Sequence, residues 1–263
     1  MSLINITLIV YVVASISYIV REIWGCKATR WASLGLLILA FCLNLTMVAK
    51  RSIEAGHPPF SNLYESLIFY ACCTAFVYII FEFIYNFRVV GAMASVLTML
   101  ILLYATLQDD TIRPIMPALK SNWMLVHVVT YMLGYAAFGI SFVTSIIYLV
   151  VKPFAGKSKD SKEDEDGREI LPRNFDKLSY KIVAFGFPFL TLGMVTGAVW
   201  AKKAWGDYWS WDPKETWSLI TWLAYLVYLH SPLVLPKMNI NKSKASVILA
   251  FWLLFAFGIV NFT

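Results

Sequence analysis

The chain is short of charge. Asp, Glu, Lys and Arg make up only 14% of its 263 residues, whereas a typical soluble domain carries about a quarter of them. Hydrophobic residues make up 59%, and a soluble fold of this length has no interior large enough for that much apolar surface. The composition therefore excludes an ordinary soluble protein and indicates an integral membrane protein.

Cysteine motifs for metal binding or redox chemistry are also absent. The four cysteines are Cys26, Cys42, Cys72 and Cys73, and no two of them have CxxC spacing. Three lie in apolar segments, where a thiol usually serves as a small core side chain. The sequence predicts neither a zinc site nor a disulfide-exchange centre.

Long apolar runs are abundant. A helix needs about 20 residues to cross ~30 Å of hydrocarbon, and helices satisfy their own backbone polar groups in lipid. Eight runs reach that length, at about 3–20, 31–49, 63–85, 89–107, 123–151, 178–201, 214–234 and 245–262. They lack the alternating polarity of a membrane barrel. The sequence predicts an all-α integral membrane protein, a single polytopic domain over residues 1–263 with about eight transmembrane helices.

The distribution of Lys and Arg predicts the orientation. With the N-terminus outside, the inner loops hold fifteen of these residues and the outer loops seven, as the positive-inside rule favours. This places a charged connector, 152–177, in the cytoplasm and a tryptophan-rich loop, 202–216, outside between helices 6 and 7. The net charge of +6 reflects this bias and does not indicate nucleic-acid binding.

Tryptophan is concentrated in that loop. Six of the ten tryptophans fall within Trp200–Trp222, and residues 205–216 read WGDYWSWDPKET. Tryptophans anchoring the membrane interface, beside a helix start with Asp212 as N-cap and proline in the first position, are one interpretation. An aromatic shelf for a flat hydrophobic ligand, formed by Trp205, Trp209 and Trp211, is the other.

Histidine is rare but well placed. His127 lies four residues after Trp123, about one turn below the outer interface. His230 ends the seventh helix, about 27 Å from Asp212 at ~1.5 Å per residue, near the inner face. Imidazole beside aromatic rings is suited to heme, which predicts two heme stations on one route. Cations for the heme propionates are available at Lys202, Lys203 and Lys214.

Two glutamates lie in or beside apolar segments. Asn62 followed by Glu65 is typical of a helix-capping pattern, which we favour over a catalytic role for Glu65. Glu82 lies near the inner end of its helix and is expected to reach the interface or pair with Arg88. No internal repeat is evident, which disfavours an inverted-repeat transporter.

The segment WGDYWSWDPKETWSL resembles the tryptophan-rich "WWD" signature of heme-handling proteins of cytochrome c maturation. GHPPFSNLYESLIF, WMLVHVV and the stretch from LSYKIVAFGFPFLTLGMVTGAVWA through TWLAYLVYLH also resemble the CcsA (ResC) family of System II, in order and spacing. The related CcmC family of System I usually has six helices, so the eight apolar runs favour CcsA.

The resemblance implies heme b as the bound group and the following site residues. His127 corresponds to an axial ligand of an outer heme, and His230 corresponds to the membrane histidine that receives heme within the bilayer. The core of the signature corresponds to Trp205, Trp209, Trp211 and Asp212. His57 lies in a family-like segment but matches no essential histidine.

One departure concerns the end of the chain. The family continues into an external tail with a second external histidine, whereas this sequence ends at Thr263 without it. Either the sequence is truncated or another group supplies the sixth position on the iron.

The resemblance implies a component of a holocytochrome c synthase (heme lyase) that presents heme to apocytochrome c at the outer face. Two CxxCH thiols of that client add across the heme vinyl groups, so the chain needs no catalytic nucleophile. A CcsB (ResB)-like membrane protein is the implied partner, in the bacterial inner membrane or in a plastid thylakoid membrane. Two alternatives stay open: CcmC-like delivery of heme to a carrier protein, and a small-molecule transporter with the tryptophans as a gate.

Overall fold

The computed structural model describes residues 2–24, 26–85, 88–151 and 172–234, together with Ile248. These ranges form seven α-helices and a short 3-10 turn at Pro117–Leu119. The helices are α1 (Leu3–Trp24), α2 (Lys27–Ala55), α3 (Leu63–Tyr85), α4 (Arg88–Ala105), α5 (Asn122–Val151), α6 (Pro172–Trp205) and α7 (Pro213–Val234). The ranges contain no strand, so the all-α prediction is confirmed for this part of the chain.

Five helical segments are long and apolar enough to cross a membrane. They are Leu3–Arg21, Lys27–Ala55, Leu63–Tyr85, Asn122–Val150 and Lys177–Trp205, and the apolar part of α4, Val90–Ala105, is shorter. These segments support a multi-pass helical membrane protein. The predicted helix at 245–262 lies outside the described residues except for Ile248, and most of the predicted connector 152–177 lies outside them as well.

Two predicted helices are longer than their apolar runs. The α2 helix runs on to Ala55 and ends where Gly56 adopts a left-handed φ of 69°. The α6 helix spans Pro172–Trp205 instead of 178–201, so it begins within the predicted connector 152–177 and ends within the predicted tryptophan loop 202–216. Hydropathy stops at the first charged residues, whereas backbone hydrogen bonding stops only at a residue that leaves helical geometry.

The chain forms two compact units, Met1–Ala136 and Ala137–Thr263. In the first unit α1 packs against α2 and α4, and α3 packs against the same two helices. A buried ion pair joins α1 to α3, with Arg21 Nη1 2.7 Å from Glu82 Oε1. Tyr78 also donates to Glu82, at 2.5 Å. Arg88 was the predicted partner of Glu82, and its side chain is not among those that the structure describes.

Glycine and cysteine are the small residues that support the packing of the first unit. Gly91 of α4 lies against the side chains of Tyr18 and Tyr78, and a Cβ added there would come within 2.5 Å of the Tyr18 ring. Of the cysteines predicted to pack in the core, Cys72 and Cys73 are buried, whereas Cys42 is exposed on α2.

The second unit is held by polar contacts between buried helix faces. Ser141 and Ser145 of α5 lie 3.0 and 2.7 Å from the Ser179 hydroxyl of α6. The Trp222 indole of α7 donates to the Thr191 hydroxyl of α6 at 2.9 Å. These contacts bind α5, α6 and α7 together.

Candidate functional site

The tryptophan loop is shorter than its sequence suggests. The α6 helix includes Trp205 and ends because Gly206 has a φ of 100°, and α7 begins at Pro213. Residues 206–212, which we call the aromatic loop, therefore replace the predicted loop 202–216. Lys202, in the last turn of α6, donates to the Gly206 carbonyl at 2.5 Å and lies 5.6 Å from the Tyr208 ring centre. One of the three lysines predicted to serve heme propionates thus braces the loop.

The start of α7 is capped as the sequence predicts. The Glu215 amide donates to Asp212 Oδ1 at 2.7 Å, with Pro213 as the first helical residue. The Glu215 carboxylate turns back and accepts the Ser210 amide at 2.6 Å. In a capping box the glutamate side chain accepts the amide of the N-cap residue. Here the carboxylate accepts the amide of Ser210 instead, two residues before the N-cap Asp212. It fixes the path of the backbone through the aromatic loop.

The aromatic side chains of this region are largely exposed. Trp205, Tyr208 and Trp211 are 64%, 58% and 69% exposed. The rings of Trp209 and Trp211 meet edge to face, with centroids 5.7 Å apart and planes at 86°. These two tryptophans form a corner and not one flat shelf, so a planar ligand stacks on one ring and meets the edge of the other.

Two features of the aromatic loop raise the free energy of its conformation. Trp211 is the sole non-glycine residue with positive φ among the described residues, at 60°, a conformation that costs roughly 1–2 kcal/mol for an L-residue. The Trp209 indole Nε1 is buried and has no hydrogen-bond partner in the part of the chain that the structure describes. Strain and an orphaned donor in one loop are typical of a functional site.

His230 lies on α7, the same uninterrupted helix that starts at the aromatic loop. Its side chain is exposed, and its Nδ1 lies 2.8 Å from the Leu226 carbonyl oxygen. A carbonyl oxygen only accepts, so Nδ1 carries a proton, and in the neutral ring Nε2 is then the nitrogen with the lone pair. This is the tautomer that ligates a metal through Nε2, oriented by a bond at its other nitrogen.

His127 belongs to the first unit, whereas the aromatic loop and His230 belong to the second. The His127 ring is half-buried on α5 and meets the Tyr131 ring edge to face, with centroids 4.7 Å apart. Its role as an iron ligand stays a prediction, as do the heme contacts predicted for His230 and for Trp205, Trp209, Trp211 and Asp212.

His57 is engaged at both ring nitrogens. Nδ1 lies 2.9 Å from the Pro58 carbonyl oxygen, and Nε2 lies 3.3 Å from the Arg113 carbonyl oxygen. Neither nitrogen is open to iron in this conformation. His57 belongs to residues 56–62, GHPPFSN, which we call the proline loop and which joins α2 to α3.

The proline loop ends in the predicted cap of α3. The Glu65 amide donates to Asn62 Oδ1 at 2.8 Å, which confirms the capping pattern. The Glu65 carboxylate accepts the Ser61 amide and hydroxyl and pairs with Arg51 at 2.9 Å. Glu65 is fully buried, and its carboxylate is occupied by these bonds. Its role is therefore structural and not catalytic.

Sequence reasoning missed two contributors to the site. Ser210 could have been found from its position five residues before Glu215, within reach of a returning carboxylate. Tyr180, whose hydroxyl donates to the Leu229 carbonyl of α7 at 2.8 Å, has no local signal, because its partner is 49 residues away. The described residues hold no cluster of three or more His, Cys, Asp or Glu suited to a bare metal ion.

Residues 60–262 match the family described as Cytochrome C assembly protein. The Cytochrome c biogenesis protein CcsA of Guillardia theta is 40% identical over 246 residues, covering 86% of this chain and 81% of that protein. The CcsA protein of Microcystis aeruginosa is 36% identical over 247 residues, covering 76% of this chain and 74% of that protein.

A solved structure has a similar fold. The Cytochrome c Heme Lyase CcmF matches with a TM-score of 0.67 and 17% sequence identity. The match covers 97% of this chain and 45% of that one. At this identity the likeness shows a shared fold.

Proposed function

The chain belongs to the cytochrome c assembly protein family and is a CcsA-type protein of cytochrome c biogenesis, and we propose from this premise that it carries heme b across the membrane. At the outer face it presents the heme for attachment to apocytochrome c, within a System II synthase. The membrane is the bacterial inner membrane, or the thylakoid membrane in a plastid. A CcsB (ResB)-like membrane protein is the proposed partner.

The observation that carries this proposal is the exposed aromatic surface around the aromatic loop. Trp205, Tyr208 and Trp211 are all more than half exposed, and aromatic side chains of this size gain most from being covered by another apolar surface. A porphyrin is flat, apolar and large enough to cover them. The orphaned indole N–H of Trp209 fits the acceptor oxygens of the propionates or of the client protein.

The chain's own residues hold and orient the heme in this proposal. The caps on either side of the aromatic loop fix its backbone, so the rings keep their arrangement before the heme arrives. His127 holds the iron at the outer station and His230 holds it at the inner one. The heme supplies its vinyl groups to the client thiols, each S–H adding across one C=C bond, so no nucleophile is required of the chain.

The two stations lie too far apart to share one iron. Because α7 is continuous from Pro213 to Val234, His230 lies about 27 Å along the helix axis from Asp212, at ~1.5 Å per residue. The stations therefore act in series, and heme reaches the aromatic loop by way of His230.

The experiment measures heme per protein in the purified full chain at matched protein levels, from the Soret band. His230→Gly should deplete heme at both stations, and added imidazole should restore it. His127→Gly should deplete the outer station and leave heme at His230. His57→Gln is the matched control and should change nothing, because both nitrogens of His57 already bond to carbonyl groups.

Full heme loading in His230→Gly would sink the serial route. It would leave a protein with one station that collects heme directly from the outer side. An unchanged spectrum in His127→Gly would remove His127 from the outer station.

A further inference from the structure

The α7 helix carries a proline two residues after His230. Pro232 has no amide hydrogen to give to the helical hydrogen-bond pattern, and a proline within a helix favours a bend unless neighbouring helices hold it. Contacts from outside α7 therefore help to fix the position of His230.

Tyr180 of α6 supplies such a contact. Its hydroxyl donates to the Leu229 carbonyl oxygen at 2.8 Å. That carbonyl belongs to the peptide group whose nitrogen is the backbone nitrogen of His230. The bond consequently restrains the point from which the His230 side chain leaves the helix. The Tyr180 and Tyr228 rings pack beside it, with centroids 5.9 Å apart.

The backbone beside Tyr180 is held in place by hydrogen bonds to α5. The preceding residue, Ser179, is fully buried and bonds through its hydroxyl to Ser141 and Ser145 of α5. Ser141 also donates to the Ser179 carbonyl at 3.1 Å. The chain of contacts runs from α5 through α6 to the backbone of α7, within one unit of the protein.

The imidazole of His230 is restrained a second time at the ring. Its Nδ1 donates to the Leu226 carbonyl one turn back, which fixes the tautomer and leaves Nε2 as the acceptor. A ring held by its own helix points in a defined direction only if that helix is itself held. The two restraints are therefore complementary, one on the ring and one on the backbone beneath it.

We propose that Tyr180 is a positioning residue for His230 and aims its Nε2 at the heme iron at the inner station. This inference rests on the proposed function and adds to it a residue that does not touch the heme. Residues that orient a metal ligand typically change metal affinity 10–100-fold when they are removed. Tyr180 acts through the backbone, so we expect the lower end of that range.

The experiment uses the full chain in a His127→Leu background, so that the heme signal comes from the His230 station and added imidazole finds no cavity at position 127. Tyr180→Phe removes only the hydroxyl and should weaken heme binding roughly tenfold and shift the reduction potential and Soret band of the heme. Thr191→Val is the matched control, since it removes a hydroxyl that also joins α6 to α7, through Trp222, and leaves the bond of Tyr180 to Leu229 in place. It should leave both spectral properties unchanged.

A second arm separates positioning from general stability. In His230→Gly, free imidazole replaces the side chain and needs no tether to the backbone. Adding Tyr180→Phe to that variant should then have no effect on the imidazole-restored heme. An equal tenfold loss there would show that Tyr180 only stabilises the fold, and wild-type heme affinity and spectrum in Tyr180→Phe would also overturn the inference.

Failure of the proposed function has a different signature. If His230→Gly without imidazole binds as much heme as its parent, no heme is held by His230 and the inner station itself is wrong. If His230→Gly loses heme and Tyr180→Phe does not, the station stands and the role of Tyr180 falls.

Discussion

The proline loop and the aromatic loop have the same construction in different units of the molecule. Each is seven residues long, and each begins with a left-handed glycine, Gly56 or Gly206, that ends a helix. Each finishes in an N-cap whose side chain accepts the amide of a glutamate three residues later. Both glutamates, Glu65 and Glu215, turn back to a serine amide.

The side chains give the two loops opposite characters. In the proline loop Glu65 is buried against Arg51, and Phe60 packs edge to face on Phe69 with centroids 5.0 Å apart. In the aromatic loop Glu215 has no ion pair among the described residues, and the large rings face outward. The same backbone arrangement therefore carries buried side chains in the first unit and exposed aromatic rings in the second.

A neighbouring segment closes the proline loop further. The Asn62 amide donates to the Thr111 carbonyl at 3.2 Å, and His57 contacts the Arg113 carbonyl. That segment is itself ordered by Asp109, which accepts bonds from Thr111 and Arg113. These hydrogen bonds, first those from Thr111 and then that from Arg113, hold the pKa of the Asp109 carboxyl below its usual value.

The largest contrast is expected from the two glutamates. Glu65→Gln leaves the nearly buried Arg51 guanidinium without its counter-charge and should lower the free energy of unfolding by about 3 kcal/mol. Glu215→Gln, which is partly exposed and keeps an acceptor for Ser210, should lower it by at most about 1 kcal/mol. Thermal unfolding in detergent measures both. Equal losses would mean that the aromatic loop is as closed as the proline loop.

Removing the rings should separate heme binding from stability. The double variant Trp209→Ala, Trp211→Ala should lower heme per protein roughly tenfold while protein levels in the membrane stay normal, since each stacked aromatic contact is worth about 0.5–1.5 kcal/mol. Phe60→Ala in the proline loop should lower stability and leave heme per folded protein unchanged. Normal heme content in the double variant would favour tryptophans that only anchor the membrane interface.

Giving the aromatic loop the N-cap residue of the proline loop makes the two loops more alike. Asp212→Asn installs the cap that Asn62 provides in the first unit, and it should preserve both stability and heme binding. Asp212→Ala should cost about 1 kcal/mol, the usual loss for an N-cap. Heme loss in Asp212→Asn with unchanged unfolding would instead assign the aspartate charge a direct contact with the heme or the client.

The smallest effect concerns the strained backbone of the aromatic loop. Trp211→Gly and Trp211→Ala both remove the ring, but only glycine adopts a φ of 60° without strain. The glycine variant should unfold with a free energy about 0.5–1 kcal/mol higher than the alanine variant, with equal heme loss in the two. Equal stability would show that the loop relaxes once the ring is gone and that the ring itself imposes the left-handed geometry.

Local patterns predicted the local structure well. The caps at Asn62 and Asp212 were both readable, because a capping residue and its glutamate lie three positions apart. The likeness of the two loops was not found, because beyond the glycine and the glutamate nine residues later the two sequences have little in common. The shared geometry lies in backbone dihedral angles and capping bonds, which different side chains satisfy equally well.

Contacts distant in sequence could not be predicted. Glu82 was expected to pair with a nearby arginine, and it pairs with Arg21, 61 residues away. Tyr180 and Leu229 are likewise joined only by the packing of α6 on α7. The composition predicted which segments form helices, but the partner of a buried polar group depends on which helix faces meet.

The ion pair between Arg21 and Glu82 also constrains how the protein is made. A ribosome adds about 5–20 residues per second, so the 61 residues between the two partners take about 3–12 s to synthesise. Until Glu82 emerges, the Arg21 guanidinium lacks this carboxylate, and a buried guanidinium in a membrane protein is costly without an ion-pair partner. The first helix therefore enters the membrane well before it can take its final place, and translation of the third helix releases it to assemble.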